Sequence, residues 1–386
     1  MLQNNSYFRI VPFFVIQCVL CMGSCMGEKI DDATLRKVLR SPPPRWMERQ
    51  IVNDLSYYRE HSSSLSELHA AFDNGEYQNL LLVRFTIRNN QVSVGKHFWG
   101  DVSHQRVAPI HNALQHLCKL TWMPDTIFYV SVHDGLLPGN EFPYRFPLFV
   151  MSKHEESKQP GILFPDYEAL GRKYQVIPSA SVASYTVPWK EKKAYLQWRG
   201  STAQLPGVKM TPDTLDLFTR VILCKLSQQF PEKIDAKFTV YFFEAGFIPE
   251  LLAMKGEWIS FQEQFNCKYH ILLDGLTAPF SNSGWKFFTK SLIFKPFSPW
   301  VQWYFGALKP YVHYVPVGAY LEDLMQKLSW AEQKDREAFK MAVKARLFAK
   351  THLLYRHHLA YLYELIQRYA KLYPLKETHQ STVKSS

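Results

Sequence analysis

Thr126-Ile127-Phe128-Tyr129-Val130-Ser131-Val132-His133-Asp134-Gly135 decides the fold class. The first seven residues, rich in β-branched and aromatic side chains, read as a strand, and the run stops on a polar His-Asp-Gly turn. The same pattern recurs downstream. Pro147 to Met151 is a second apolar strand, and Ala194 to Trp198 a third that ends in Arg199-Gly200-Ser201, with a helix expected from about Asp213 to Gln228. Tyr269 to Leu273 ends in Asp274-Gly275; a helix around Trp285, a strand from Ser291 to Phe294, a helix over Trp300 to Leu308 and a strand from His313 to Val317 follow. Strands alternating with helices predict βαβ units and largely parallel sheets, an α/β fold. Polar residues gathered just past the strand ends lie where open α/β sheets hold their ligands.

Upstream, residues 28–40 read as a helix that Pro42, Pro43 and Pro44 break. A second helix begins near Arg45, with Met47, Ile51, Leu55 and Tyr58 on one face. Residues 79–94 read as a hairpin turning at Asn89-Asn90. Pro109 is expected in the first turn of a helix running to about Leu120. Downstream, the chain from Tyr320 to Tyr373 is almost wholly helical, and the tail 375–386 is expected to be disordered.

At 386 residues the chain exceeds what one hydrophobic core usually serves. The expected division is an N-terminal α/β domain over 28–183, a second over 184–330 and helices over 331–374. Residues 1–27 read as a signal-like or anchor segment: Arg9 precedes an apolar run over 10–22 that is short for a bilayer span, then Gly23, Ser24 and Gly27. That segment implies export or membrane association; a cytoplasmic location follows if it is not a signal. The six cysteines form neither a disulfide framework nor a zinc cluster. The net charge of +11 suits anionic partners such as nucleotides, phosphorylated glycans or headgroups. Nucleic acid is not among the expected partners, because the basic residues are spread along the chain without a recognised motif.

Four constellations carry chemistry. In Trp198-Arg199-Gly200-Ser201 glycine permits close approach, serine can meet phosphate oxygens and arginine can pair bidentately with a diphosphate; an ordinary strand-to-helix turn reads equally well. Asp274-Gly275, followed by Ser281, Ser283, Trp285 and Lys286, offers a carboxylate for sugar or ribose hydroxyls and a cation for phosphate, or simply a capped helix start. Asp134 offers a general base at a strand end, or a turn aspartate. His313 lies in a proline-bounded run from Leu308 to Val317, suited to phosphate or to a core partner.

In their order, these pieces resemble the CAP10 domain of glycosyltransferase family 90, which includes fungal capsule proteins and protein O-glucosyltransferases. The likeness rests on Pro188-Trp189, the run Tyr195 to Ser201, the run Lys268 to Gly275, the run Lys290 to Lys295 and the run Leu308 to Val317, with Pro124 to Gly135 and Ile162 to Asp166 upstream. It covers roughly residues 120–350, and its wording looks more like bacterial members than animal ones. The resemblance implies a GT-B fold, two Rossmann-like domains facing a central cleft, and inverting transfer from a UDP-sugar with no metal or other cofactor. By position it makes Asp134 the catalytic base. It places the donor on Arg199, Gly200, Ser201, Arg220, Asp274, Gly275, Ser281, Trp285 and Lys286, with His133, Lys295 and His313 as further candidates. The absence of an Asp-x-Asp pair agrees with the metal point. One departure stands out: many relatives carry an arginine in the loop after Asp-Gly, where this chain has Lys286, a point charge without the bidentate fork.

The leading expectation is therefore a glycosyltransferase acting on a glycan (lipopolysaccharide or capsule) or a protein hydroxyl. A catalytically weak transferase-like protein that binds a nucleotide sugar or glycan is the alternative; a membrane scaffold or a hydrolase is less favoured.

Overall fold

The computed structural model describes residues 31–61, 65–76, 80–95, 101–135, 146–155, 161–171, 187–202 and 208–375; of 101–104, 243, 244, 281 and 282 only the backbone is described. The N-terminal segment 1–27 and the tail 376–386 lie outside these residues.

The chain builds two five-stranded sheets, both with helices packed on them. The first holds β1 (Leu82–Arg88), β2 (Gln91–Val94), β3 (Thr126–Ser131), β4 (Leu148–Val150) and β6 (Ile162–Leu163) in the order β2-β1-β3-β4-β6; the two-residue β5 (Lys153–His154) lies apart. β1 runs antiparallel to β2 and β3, while β3, β4 and β6 are parallel. Asn89 and Asn90 turn the hairpin with φ of 49° and 60°, the left-handed pair that a two-residue turn requires. Met47, Ile51, Leu55 and Tyr58 are all buried, so the four-residue spacing does mark the inner face of the helix Arg45–Glu60. The C-terminal helix Tyr355–Leu372 returns to this first core through Leu359, Leu362, Leu365 and Ile366.

The second sheet holds β7 (Lys193–Ser201), β8 (Ile234–Val240), β9 (Cys267–Ile271), β10 (Leu292–Pro296) and β12 (Val315–Val317) in the order β12-β10-β9-β7-β8, all parallel. The chain leaves β7 toward β8 on one side, then returns to the other side for β9. The connections therefore reverse direction between β7 and β9, and a crevice opens above the carboxyl ends of these two strands, the usual ligand position of doubly wound sheets. β11 (Trp300–Val301) pairs with β5, tying the two halves by an antiparallel ribbon.

Three local expectations differ from the structure. The helix expected to begin at Pro109 starts at Asp101 and runs through the proline. The turn ahead of the missing N–H is held by tertiary contacts instead: Arg106 donates to the Val132 carbonyl at 2.7 Å and Val107 is buried. The stretch Trp300 to Leu308 is a strand and a single 3-10 turn, Phe305–Ala307, rather than a helix. Trp300, Trp303, Tyr304, Phe305 and Leu308 are all buried, leaving no solvent face for an amphipathic helix, and Trp300 N–H is taken by the Ser298 hydroxyl at 2.9 Å. Finally, β8 was not anticipated, although Ile234, Ala236 and Phe238 alternate inward along it.

Candidate active site

Above the carboxyl ends of β9, β10 and β12 lies a cavity of about 220 Å³, walled by Asp274, Gly275, Lys295, Ser298, Phe218 and Arg220 among others. The helix Thr219–Gln229 opens onto it without a side-chain cap, so its amino end presents backbone N–H groups and the positive end of the helix dipole.

Arg220, in that first turn, closes the switch point. Its guanidinium donates to the Asp274 carbonyl at 2.6 Å and, on the other side of the crevice, to the Ser201 carbonyl at 2.9 Å and hydroxyl at 3.1 Å. It thus links the ends of β7 and β9. Burial lowers its pKa to about 10, only partly opposed by Asp274. The Asp274 carboxylate accepts from the Ser298 hydroxyl. Burial raises its pKa, against the pull of Ser298, Lys295 and Arg220. Lys295 is pushed below the ordinary lysine range by burial, and its ammonium stands 5.1 Å over the Phe305 ring. Two cations and one acid, all desolvated, make a wall where an anion gains strong electrostatic stabilisation.

Asp134 comes from the other sheet, in the turn after β3. Its carboxylate pairs with Arg106 at 2.9 Å, and Arg106 lies 5.1 Å over the Tyr167 ring. The Asp134 carbonyl accepts from the Thr277 hydroxyl at 2.6 Å. A Cβ placed on Gly135 would fall 2.8 Å from Thr277 Cγ2 and 3.0 Å from the Ser152 carbonyl, so the turn approaches Thr277 as closely as only glycine allows. His133 completes the turn, Nδ1 lying 3.0 Å from the Gly135 carbonyl. Through Thr277, three residues past Asp274, the Asp134 turn and the cavity share one loop, whose tight bend is closed by Gly275 N–H to the Thr277 carbonyl at 2.9 Å.

The structure therefore gathers Arg220, Asp274, Gly275 and Lys295 around the cavity, ties Ser201 to it through Arg220, and bonds the turn that holds His133 and Asp134 to its loop through the Asp134 carbonyl. Other expected donor residues lie elsewhere. Arg199 turns toward β8: it pairs with the Asp235 carboxylate at 2.8 Å and donates to the Glu257 carbonyl at 3.1 Å. Gly200 is a packing glycine, since a Cβ there would meet the Trp198 ring at 2.4 Å. Trp285 packs against Phe261 and Phe265. Lys286 is buried and donates to the Ile271 carbonyl at 2.9 Å, with burial lowering its pKa to about 7. The His313 ring accepts from Lys309 N–H at 3.0 Å and locks a turn. The side chain of Ser281 lies outside the described residues.

Sequence reasoning missed Arg106, Thr277 and Ser298. Arg106 fell ahead of the proline taken as a helix start; Thr277 and Ser298 are polar residues just past strand ends, a signal that was available. Among the described residues no three His, Cys, Asp or Glu side chains converge as a metal site requires.

The family model described as glycosyl transferase family 90 matches residues 44–385. Protein O-glucosyltransferase 2 of Danio rerio is 27% identical over 378 residues, which cover 93% of this chain and 68% of that protein. Protein O-glucosyltransferase 3 of Homo sapiens is 28% identical over 305 residues, 75% of this chain and 55% of the relative. O-glucosyltransferase rumi of Drosophila melanogaster is 27% identical over 241 residues, 58% of this chain and 55% of the relative. The chain thus spans just over half the length of the human and fly relatives.

Proposed function

The chain belongs to glycosyl transferase family 90, and from that premise we propose that it moves a hexose or pentose from a UDP-sugar, with inversion, to a hydroxyl of a protein or glycan. The relatives named protein O-glucosyltransferases favour a protein hydroxyl. In this reading the two sheets are the two Rossmann-like halves of a GT-B fold, with residues 28–183 on the acceptor side and 184–330 on the donor side. The diphosphate lies in the cavity against Arg220, Lys295 and the amino end of the helix Thr219–Gln229.

Asp134 takes the proton of the acceptor hydroxyl as that oxygen attacks the anomeric carbon. The bond from carbon to the UDP oxygen breaks on the opposite face, and the charge left on the diphosphate falls to Arg220 and Lys295. Arg106 fixes the carboxylate by its 2.9 Å ion pair.

One observation carries the reading: the backbone of the Asp134 turn is fastened to Thr277, so the turn that bears this carboxylate in one sheet is held against the loop that walls an anion-suited cavity in the other. The test is UDP release by the purified chain offered a panel of UDP-sugars, beside Asp134→Asn. Sugar-dependent release that collapses in the variant supports the transferase. Absence of both binding and release for every UDP-sugar overturns the donor site.

A further inference from the structure

The run from Ala338 to Tyr363 contains no Asp or Glu, yet includes Lys340, Lys344, Arg346, Lys350 and Arg356. Most of it lies in the helix Asp335–His352, whose acids are confined to the first turn, Asp335 and Glu337, where they suit the helix dipole. The inner face of this helix is fully used: Ala338, Met341, Ala342, Ala345, Phe348 and Ala349 are buried.

The outer face carries Arg336, Lys340, Val343, Lys344, Leu347 and Lys350, all exposed. At about 100° per residue these six fall within an arc of roughly 120°, and from Arg336 to Lys350 the stripe runs about 21 Å. Val343 and Leu347 are 38% and 62% exposed and lie near the middle of the arc, with lysines on both sides. No ion pair to Lys340, Lys344 or Lys350 is present among the described residues. Lys309 extends the patch: with Lys344 it adds to burial in pressing the His313 imidazole below its ordinary range. Basic residues that look scattered along the sequence are thus concentrated by the fold on one surface.

We propose that this outer face of the helix Asp335–His352 docks on a bilayer surface carrying anionic phospholipid. Lys340, Lys344 and Lys350 meet the headgroup phosphates while Val343 and Leu347 enter the boundary between headgroups and acyl chains. A soluble polyanion would be met by the cations alone. An exposed leucine and valine at the centre of a cationic arc fit a surface that is charged outside and apolar just beneath, and a basic amphipathic helix lies in such a plane. Among the described residues no helix is long and apolar enough to cross a membrane. The inference is independent of the transfer chemistry.

The test is co-sedimentation of the full chain with phosphatidylcholine vesicles, pure or containing phosphatidylserine, at low and high salt. The expected result is binding that requires phosphatidylserine and weakens with salt. It should fall on the order of a hundredfold in the triple variant Lys340→Gln, Lys344→Gln, Lys350→Gln, and several-fold in Leu347→Ser. Equal thermal unfolding midpoints show that these surface changes leave the fold intact. Because the apolar run 10–22 and the other basic residues of the +11 chain are the same in parent and triple variant, the difference between these two proteins isolates the helix face. Phosphatidylserine-dependent binding unchanged in the triple variant would overturn the proposal. So would capture by soluble heparin without any vesicle binding.

Discussion

The Thr277 hydroxyl donates to the Asp134 carbonyl at 2.6 Å across 143 residues of sequence. It joins the turn after β3 of the first sheet to the loop after β9 of the second, and Thr277 is buried at 2% exposure. Removing the hydroxyl while keeping the shape, as in Thr277→Val, leaves a half-buried carbonyl without this partner, a cost of about 1 kcal/mol. Gly135→Ala attacks the same contact sterically, since its new methyl meets Thr277 Cγ2 at 2.8 Å. Both variants are expected to lower the transfer rate roughly ten- to a hundredfold by displacing Asp134, with UDP affinity within about twofold of the parent. Steady-state kinetics and a UDP titration check this. Full activity in both would detach the contact from catalysis.

Asp134→Asn keeps the size of the side chain and loses the base. Transfer is expected to fall by about 10²–10⁴-fold, the usual range for a positioned general base. Donor affinity should hold, because Asp134 lies in the turn after β3 and not on the cationic wall. The Arg106 guanidinium keeps its charge and loses its carboxylate partner, so the 2.9 Å ion pair becomes a hydrogen bond to a neutral amide and stability is expected to fall by about 1–3 kcal/mol. Isothermal titration with UDP beside a rate measurement separates the two effects; equal loss of rate and affinity would place Asp134 in donor binding instead.

The positions of Asp134, Asp274 and Gly275 at strand ends are legible in the sequence, and the contacts of Arg106, Thr277 and Ser298 are not. Apolar strands ending on polar turns reveal where a parallel sheet presents its ligand edge, and both aspartates stand at such ends. What meets across the crevice is set by strand order, and that order depends on β8, whose alternating run Ile234–Val240 went unread. Without β8 beside β7, nothing indicates that the chain reverses between β7 and β9. Arg199 illustrates the cost: it sits at the right strand end, but its partner Asp235 belongs to the unread strand. Lys286 misled for another reason. Sequence position places it in the loop region, while helical phase within Phe280–Lys286 turns its ammonium inward to the Ile271 carbonyl.

That buried lysine gives a pH prediction. Burial first, and Arg220 second, lower its pKa from the ordinary lysine value of 10.5 to about 7. Between these values the unfolded chain holds the proton and the folded chain does not, so stability rises with pH from about 7 to 10.5 and falls as pH drops back toward 7. Lys286→Met keeps the length and removes the titration. Its unfolding free energy is expected to be flatter over this window, and at pH 8 to exceed the parent's by on the order of a few kcal/mol, less about 1 kcal/mol for the lost bond to Ile271. Urea unfolding at several pH values measures it; an unchanged slope would mean that Lys286 stays charged when folded.

Arg199 and Arg220 carry the sharpest contrast, because sequence alone treats them alike. Arg199 is engaged with Asp235 and the carbonyls of Trp198, Asp235 and Glu257, all on the β8 side. Arg220 walls the cavity and spans the switch point. Arg199→Ala is therefore expected to lower stability by about 1 kcal/mol, since half-buried carbonyls lose a charged donor, and to leave UDP affinity unchanged. Arg220→Lys retains a positive charge but cannot hold Ser201 and Asp274 together, because an ammonium lacks the planar fork. Its UDP affinity is expected to drop at least tenfold while the thermal midpoint falls by less than in Arg220→Ala. Calorimetric binding of UDP beside thermal unfolding for the three variants decides the matter. Loss of affinity in Arg199→Ala with retention in Arg220→Lys would move the diphosphate to the opposite side of β7.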